Sequence, residues 1–344
     1  MAETIKVGII GAGWPGMAHA RGYLAAGGFK IVAVADLIPQ RRKQLMGEFN
    51  VAREYASAED LLRDAEVAAV SVCLPNDQHA PVAAAALRAG KHVLCETPPG
   101  ISVKDARRMQ SAAQSNSKVL LYGFQRRFGG HEQAARLAIA KGFIGEPYHV
   151  RAVWTRTRAV PLGTGWFTQK EKSGGGAMAD IGLHVLDLAW HLLGQPTPSS
   201  AFAVAYRRLP ELVPQGTPYD VDDQAFALLR FDGNKSIELA TSWAINQPPQ
   251  QNGAVCRVYG SAGAVEVYTP QGAVVYRDFK PDGTCRENPL KPPKTTHHAA
   301  LCRHFKDAIQ GKASPMIGPN EGVALMRMLD AVHKSAEAGR SVTI

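Results

Sequence analysis

The element Gly11-Ala12-Gly13-Trp14-Pro15-Gly16 constrains the fold more than any other. It follows a continuous apolar run, Ile5–Ile10, and opens a helix-like stretch from Trp14 to Ala26, so it reads as strand, turn and helix. In such a turn Gly11 allows the tight reversal, Gly13 lets a ligand approach the backbone, and Gly16 lets helix and strand pack closely. Pro15 sits in the first turn, where its missing N–H costs little. The unpaired N–H groups and positive dipole end of that helix suit a pyrophosphate.

The next strand, Ile31–Ala35, ends in Asp36, about 20 residues past the glycines, where a carboxylate accepts from a ribose 2′-OH. That favours NAD over NADP, although Arg41 and Arg42 are close enough in sequence to meet a 2′-phosphate. Strand-like runs at Ala69–Leu74, Val93–Cys95 and Val119–Tyr122 alternate with helix-like segments at Pro39–Phe49, Pro81–Ala89 and Lys104–Ala113. Solid apolar strands between helices predict a parallel sheet covered on both faces, a doubly wound Rossmann domain over residues 1–123.

The pattern then changes. Alternating stretches at Tyr148–Thr157, Ala201–Arg207, Ala225–Phe231, Ser236–Trp243, Cys256–Tyr259, Ala264–Tyr268 and Ala273–Arg277 predict an open-faced, mostly antiparallel sheet. With one helix over Ala179–Leu193 and two near the C-terminus, residues 124–344 read as an α+β domain. The last helix is expected to pack back onto the first domain.

Ligands of doubly wound sheets bind beyond the carboxyl ends of strands. Two such ends are Pro75-Asn76-Asp77-Gln78-His79 and Glu96-Thr97-Pro98. Trp14, Pro75, Asn76 and Glu96 are therefore cofactor candidates with the glycines and Asp36. His79 reads equally as a cofactor contact or as an ordinary residue of a helix start.

The second informative motif is Gly174-Gly175-Gly176-Ala177-Met178-Ala179-Asp180-Ile181-Gly182-Leu183-His184. A helix places Asp180 and His184 at i and i+4, on one face. Oxidising an alcohol requires a base for the hydroxyl proton, and a carboxylate can tune and orient an imidazole for that task. Gly182, costing about 1 kcal/mol in a helix interior, implies that something lies close to that turn. The aromatic, Gly- and Thr-rich stretch Arg156–Lys172 reads equally as a loop over a bound ligand, with Arg156 and Trp166 as contacts, or as core.

The bulk numbers fit this reading. The net charge of +9 favours anionic ligands, but the basic residues are dispersed, so no nucleic-acid partner is expected. No run approaches the ~18 apolar residues of a membrane span, and no signal peptide is visible, so a cytoplasmic location is expected. The five cysteines show no C-x-x-C spacing and read as free thiols. The cluster His297, His298, Cys302 and His304 matches no common zinc spacing, so no metal is expected.

Together, Gly11–Gly16, Cys73–His79, Glu96-Thr97-Pro98, Ile144-Gly145-Glu146-Pro147, Gly175–His184 and Ser335–Gly339 resemble the Gfo/Idh/MocA oxidoreductases over nearly the whole chain. The resemblance implies NAD(P) chemistry on sugars, cyclitols or glycosides. It also implies a homodimer or homotetramer built through the second-domain sheet, and Asp180 and His184 as the substrate-binding and proton-transfer pair. The family tripeptide is usually Glu-Lys-Pro, and its Lys touches substrate and nicotinamide. Here Thr97 supplies no positive charge, which shifts proton transfer toward His184 or another group such as Tyr122 or Arg126. Some redox-neutral, NAD-dependent glycoside hydrolases on this fold also lack the Lys, so hydrolysis by oxidation, elimination, hydration and re-reduction is the alternative. A cofactor-bound sensor without turnover is a further one.

Overall fold

The computed structural model describes residues 4–163, 165–269, 272–292 and 296–344. The chain forms two compact units, Met1–Phe128 with Thr295–Met326, and Gly129–Lys294 with Arg327–Ile344. Against the expected cut at residue 123, with only the last helix packing back, the first unit runs to Phe128 and also takes in Thr295–Met326.

The first unit runs β1 (Ile5–Ile10), α1 (Trp14–Ala26), β2 (Phe29–Ala35), α2 (Pro39–Phe49), β3 (Arg53–Tyr55), α3 (Ala58–Leu62), β4 (Ala69–Val72), α4 (Asn76–Arg88), β5 (His92–Cys95), α5 (Val103–Ser115) and β6 (Leu120–Tyr122). The six strands are parallel, in the order β3-β2-β1-β4-β5-β6. The order reverses between β1 and β4, which opens a crevice at their carboxyl ends. Val7, Ile9, Val34, Val70, Val72 and Leu94 are fully buried, as strands covered on both faces require. Helix α4 begins five residues before the expected Pro81, which lies inside it.

In the second unit α6 (Gly130–Ala140) precedes β7 (Pro147–Thr155), and the short α7 (Lys170–Ser173) precedes a wide turn, Met178–Gly182, that leads into α8 (Leu183–Leu192). The remaining strands are β8 (Pro198–Tyr206), β9 (Gln224–Phe231), β10 (Lys235–Ser242), β11 (Gly253–Gly260), β12 (Gly263–Thr269), β13 (Gly272–Arg277) and β14 (Arg286–Pro289). They are followed by α9 (His297–Ile309), which belongs to the first unit, by α10 (Pro319–Ala338), and by β15 (Val342–Thr343). The nine strands form one sheet, β14-β13-β12-β11-β7-β10-β9-β8-β15, antiparallel except between β7 and β10.

Strand alternation sets the two faces of this sheet. Val150, Ala152, Leu229, Ile237, Leu239, Cys256 and Val258 are buried on the face that α8 covers. The other face carries the cross-strand row Phe202, Leu228, Glu238, Arg151, Arg257 and Glu266. Phe202 and Leu228 are exposed there.

Candidate functional site

In the first unit the glycine turn is built as the motif requires. Gly11 has φ +92°, and a Cβ on it would lie 2.1 Å from the Cys73 carbonyl oxygen. A Cβ on Gly16 would lie 2.0 Å from the Gly11 carbonyl oxygen. At Gly13 the nearest such atom is Pro15 Cδ, 3.8 Å away, so the backbone is open to a ligand. Helix α1 starts at Trp14 with no side-chain cap, which leaves its N-terminus for an anion. The cleft beside it, about 330 Å³, is lined by Ala12, Gly13, Trp14, Arg21 and Arg41 among others, and Trp14 is 72% exposed.

The Asp36 carboxylate is held rigidly, one oxygen accepting from Ala12 N–H and the other from Ile38 N–H, each at 2.8 Å. Arg42 is turned away from the cleft by Glu54 and by the Asp36 carbonyl, both at 2.7 Å. Only Arg41 of the two arginines lines the cleft. The residues present therefore fit a dinucleotide, its pyrophosphate at Gly13 and the start of α1.

Glu96, at the end of β5, is fixed by a chain that sequence reading missed. Its Oε1 lies 2.7 Å from Nε2 of the fully buried His19. His19 Nδ1 lies 2.9 Å from Ser71 Oγ, which lies 2.7 Å from Tyr23 Oη. Tyr23 O–H donating to Ser71, Ser71 to His19 Nδ1, and His19 Nε2–H to Glu96 satisfies every group. Gly123 makes room for the carboxylate, since a Cβ there would lie 2.9 Å from Glu96 Oε2. His19 falls three residues after the glycine motif, and nothing in a helical pattern marks it out.

His79 turns both ring nitrogens toward backbone carbonyls, Nδ1 to Pro98 and Nε2 to Leu74, each at 2.8 Å. Two acceptors favour the doubly protonated ring, but burial outweighs them and lowers its pKa. This arrangement clamps the loops after β4 and β5 together. Pro75 caps α4, and Asn76, its first residue, is buried. The Thr97 backbone N–H donates to Glu96 Oε2 at 3.2 Å.

One expectation is corrected. Tyr122 is fully buried, its ring lying where a Cβ on Gly322 would come within 2.2 Å, and burial pushes its hydroxyl pKa well up. It is a core residue because the apolar end of β6 packs under α10. The cluster of His297, His298, Cys302 and His304 disperses. His304 Nε2 accepts from Met316 N–H at 2.9 Å, and Cys302 Sγ faces the His19 carbonyl at 4.0 Å, because helical spacing sends them to different faces. Arg126 is buried in the turn Gln125–Phe128.

In the second unit the glycine run is gripped by Asp222. Its Oδ1 accepts from Gly176 N–H and its Oδ2 from Met178 N–H, each at 2.9 Å, while its carbonyl accepts from Ala177 N–H at 2.9 Å. A Cβ on Gly176 would lie 1.8 Å from that carbonyl oxygen. The chain then takes a wide turn, with Gly182 N–H donating to the Ala177 carbonyl, five residues back. Such turns are rare and recur at functional sites. A Cβ on Gly182 would meet Thr241 Cγ2 and Met178 Sδ at 3.0 Å, so what crowds that glycine is strand β10 and Met178.

The wide turn carries Asp180, and α8 carries His184 in its first turn. Trp243 Nε1–H donates to Asp180 Oδ2 at 2.7 Å. Burial raises the Asp180 pKa, the Trp243 bond and the Arg156 charge oppose that rise, and the Asp222 charge adds to it. The Arg156 guanidinium lies 5.1 Å over the Trp154 ring, whose centroid is 6.1 Å from that of His184. Trp166 stacks on Phe167 at 3.9 Å, and Phe167 packs edge-on against Trp243 at 6.4 Å. Phe167 thus borders the small core of Ala177, Ile181, Val221 and Trp243, and Trp166 lies outside it, half-buried. Asp180, His184, Arg156 and Trp166 share one aromatic-walled neighbourhood, a surface that suits the apolar faces and hydroxyl edges of a sugar ring.

Comparison with known proteins follows these features. Residues 5–124 match the model described as oxidoreductase family, NAD-binding Rossmann fold, and residues 133–266 match the GFO/IDH/MocA C-terminal domain. The chain is 30% identical to D-glucoside 3-dehydrogenase of Escherichia coli, covering 100% of this chain and 98% of that protein. It is 27% identical to inositol 2-dehydrogenase of Rhizobium meliloti, covering 99% of each. The solved structure of levoglucosan dehydrogenase in complex with NADH and levoglucosan shares the fold, with a TM-score of 0.89, 23% identity and 99% of each chain covered.

Proposed function

Because this chain belongs to the GFO/IDH/MocA oxidoreductase family, we propose that it is a dehydrogenase that uses NAD to oxidise a secondary hydroxyl of a sugar, cyclitol or glycoside, or to reduce the matching ketone. Bound NAD supplies the hydride acceptor. Gly11, Gly13, Trp14 and Gly16 hold its pyrophosphate end, Asp36 its adenosine ribose, and Glu96, Pro75 and Asn76 the neighbouring crevice. The rigid Asp36 carboxylate supports NAD over NADP, since it accepts from a 2′-OH and repels a 2′-phosphate.

The observation that carries the reading is the half-buried, indole-bound Asp180 with His184 in the first turn of the helix that follows. Asp180 binds and orients the sugar hydroxyls. A ring nitrogen of His184 takes the proton from the hydroxyl being oxidised and returns it in reduction. Trp154, Trp166 and Arg156 border the sugar. The redox-neutral hydrolase alternative is not favoured, since the similar proteins include glucoside and inositol dehydrogenases.

No helix among the described residues is long and apolar enough to cross a membrane, which accords with a cytoplasmic enzyme. The exposed Phe202 and Leu228 beside the Glu238–Arg151 pair suit a homodimer or homotetramer built through the open sheet face.

The test incubates the purified protein with NAD and a panel of hexoses, inositols and nitrophenyl glycosides, following NADH and nitrophenolate together. NADH rising in proportion to substrate consumed supports the reading. Repeated nitrophenolate release without net NADH overturns it. His184→Ala is expected to lose turnover while keeping NADH binding, and retention of most activity by that variant would refute the proton-transfer assignment.

A further inference from the structure

The relay that fixes Glu96 ends against a third polar side chain. His298, in the first turn of α9, stands with its ring centroid 6.0 Å from that of His19. One ligating atom from each of His19, Glu96 and His298 falls within 4.8 Å of the other two. Nε2 of His298 is buried and has no hydrogen-bond partner among the described residues. A buried imidazole nitrogen without a partner is costly, and a bound cation removes that cost.

We propose that His19, Glu96 and His298 form a zinc site in the first unit, with water as a further ligand. Two imidazoles and one carboxylate are a donor set that zinc takes in sites with an open position. Calcium and magnesium are disfavoured, because they require more oxygen ligands than the one carboxylate offers. The shell behind the site fits as well. A metal on His19 Nε2 requires the proton on Nδ1, and Ser71 Oγ, 2.9 Å away, accepts it while also accepting from Tyr23. The change moves one proton between the ring nitrogens and releases none. The thiol of Cys73 approaches the Nδ1 side at 3.7 Å, away from the ligand atom. The three ligands come from α1, the end of β5 and the start of α9, so the ion would pin those elements together. Spacing along the chain hides this set, because it unites residues 19, 96 and 298 and uses only one of the four clustered near residue 300. The proposal does not depend on the oxidoreductase reading.

The test strips the full-length protein with a chelator, then titrates Zn²⁺ by calorimetry and Co²⁺ by visible absorption. One tightly bound equivalent is expected, with cobalt bands of a four- or five-coordinate site that zinc displaces. His298→Ala should abolish both signals, His297→Ala should leave them, and Ser71→Ala should weaken binding about 10–100-fold. Circular dichroism checks that each variant is folded; if His298→Ala is not, Ser71→Ala decides. No saturable equivalent in the parent protein overturns the proposal, as does undiminished binding in His298→Ala or, should that variant not fold, in Ser71→Ala.

Discussion

Trp243 donates its indole N–H to Asp180 Oδ2 at 2.7 Å across 63 residues of sequence. The bond stabilises an ionised carboxylate that burial alone makes unfavourable. Trp243→Phe keeps the ring and removes the donor. A hydrogen bond to a charged group is worth about 1.5–3 kcal/mol, so kcat/KM should fall about 10–100-fold. The Asp180 pKa should rise further, moving the acid limb of the kcat/KM profile to higher pH. A variant with the parent profile would show that Asp180 ionisation does not govern the reaction.

The same burial makes Asp180 a stability liability. Its folded pKa is raised above the unfolded value, so the native state holds the proton more tightly than the unfolded chain. The cost is present in full above the folded pKa and is relieved as pH falls through it. Asp180→Asn keeps an acceptor for Trp243 and removes the charge. Its melting temperature should rise at neutral pH, the gain should shrink on acidification, and turnover should be lost. Equal melting temperatures across pH would refute this account.

The first unit was legible because its signals are local. The glycine turn, Asp36 and the buried strands each declare themselves within a few residues, and the structure realises them through hard contacts at Gly11 and Gly16. What sequence could not show is long-range. Asp222 and Trp243 are chemically ordinary in their own strand-and-loop context and gain meaning only from the glycine run and Asp180, more than 40 residues away. His19 likewise reads as one more residue of α1 until β4 and β5 bring Ser71 and Glu96 beside it. Tyr122 was offered as a proton-transfer group because Thr97 lacks the lysine's charge, and only tertiary packing shows its ring sealed against Gly322. The wide turn at Met178–Gly182 was read as regular helix, since the apolar spacing over so short a segment suits both.

The grip of Asp222 on the glycine run can be tested through stability. Gly176→Ala forces a Cβ to within 1.8 Å of the Asp222 carbonyl oxygen, and the contact is backbone on backbone, so the loop must move. Asp222→Ala leaves the N–H groups of Gly176 and Met178 without their acceptors. Each change should cost at least about 2 kcal/mol, a drop of roughly 4–8 °C in melting temperature. Both should also impair kcat more than NADH binding, because the displaced loop leads directly into Asp180. A normal melting curve for Gly176→Ala would mean that the loop has slack the contacts do not reveal.

Asp36 has one observed role and one proposed role, and one substitution separates them. Its carboxylate braces the glycine turn through Ala12 N–H and the β2 end through Ile38 N–H, and it is the group proposed to meet an adenosine ribose. Asp36→Asn keeps one acceptor oxygen for the brace and removes the charge, whereas Asp36→Ala removes both. If charge sets cofactor choice, Asp36→Asn should narrow the preference for NAD by about tenfold or more, chiefly by improving NADP, with Arg41 in the same cleft to receive the 2′-phosphate. Asp36→Ala should in addition weaken both cofactors by loosening the turn. Measuring kcat/KM for NAD and NADP on the parent and both variants checks this. A ratio unchanged in Asp36→Asn would mean that this carboxylate is a brace only and that selectivity lies elsewhere.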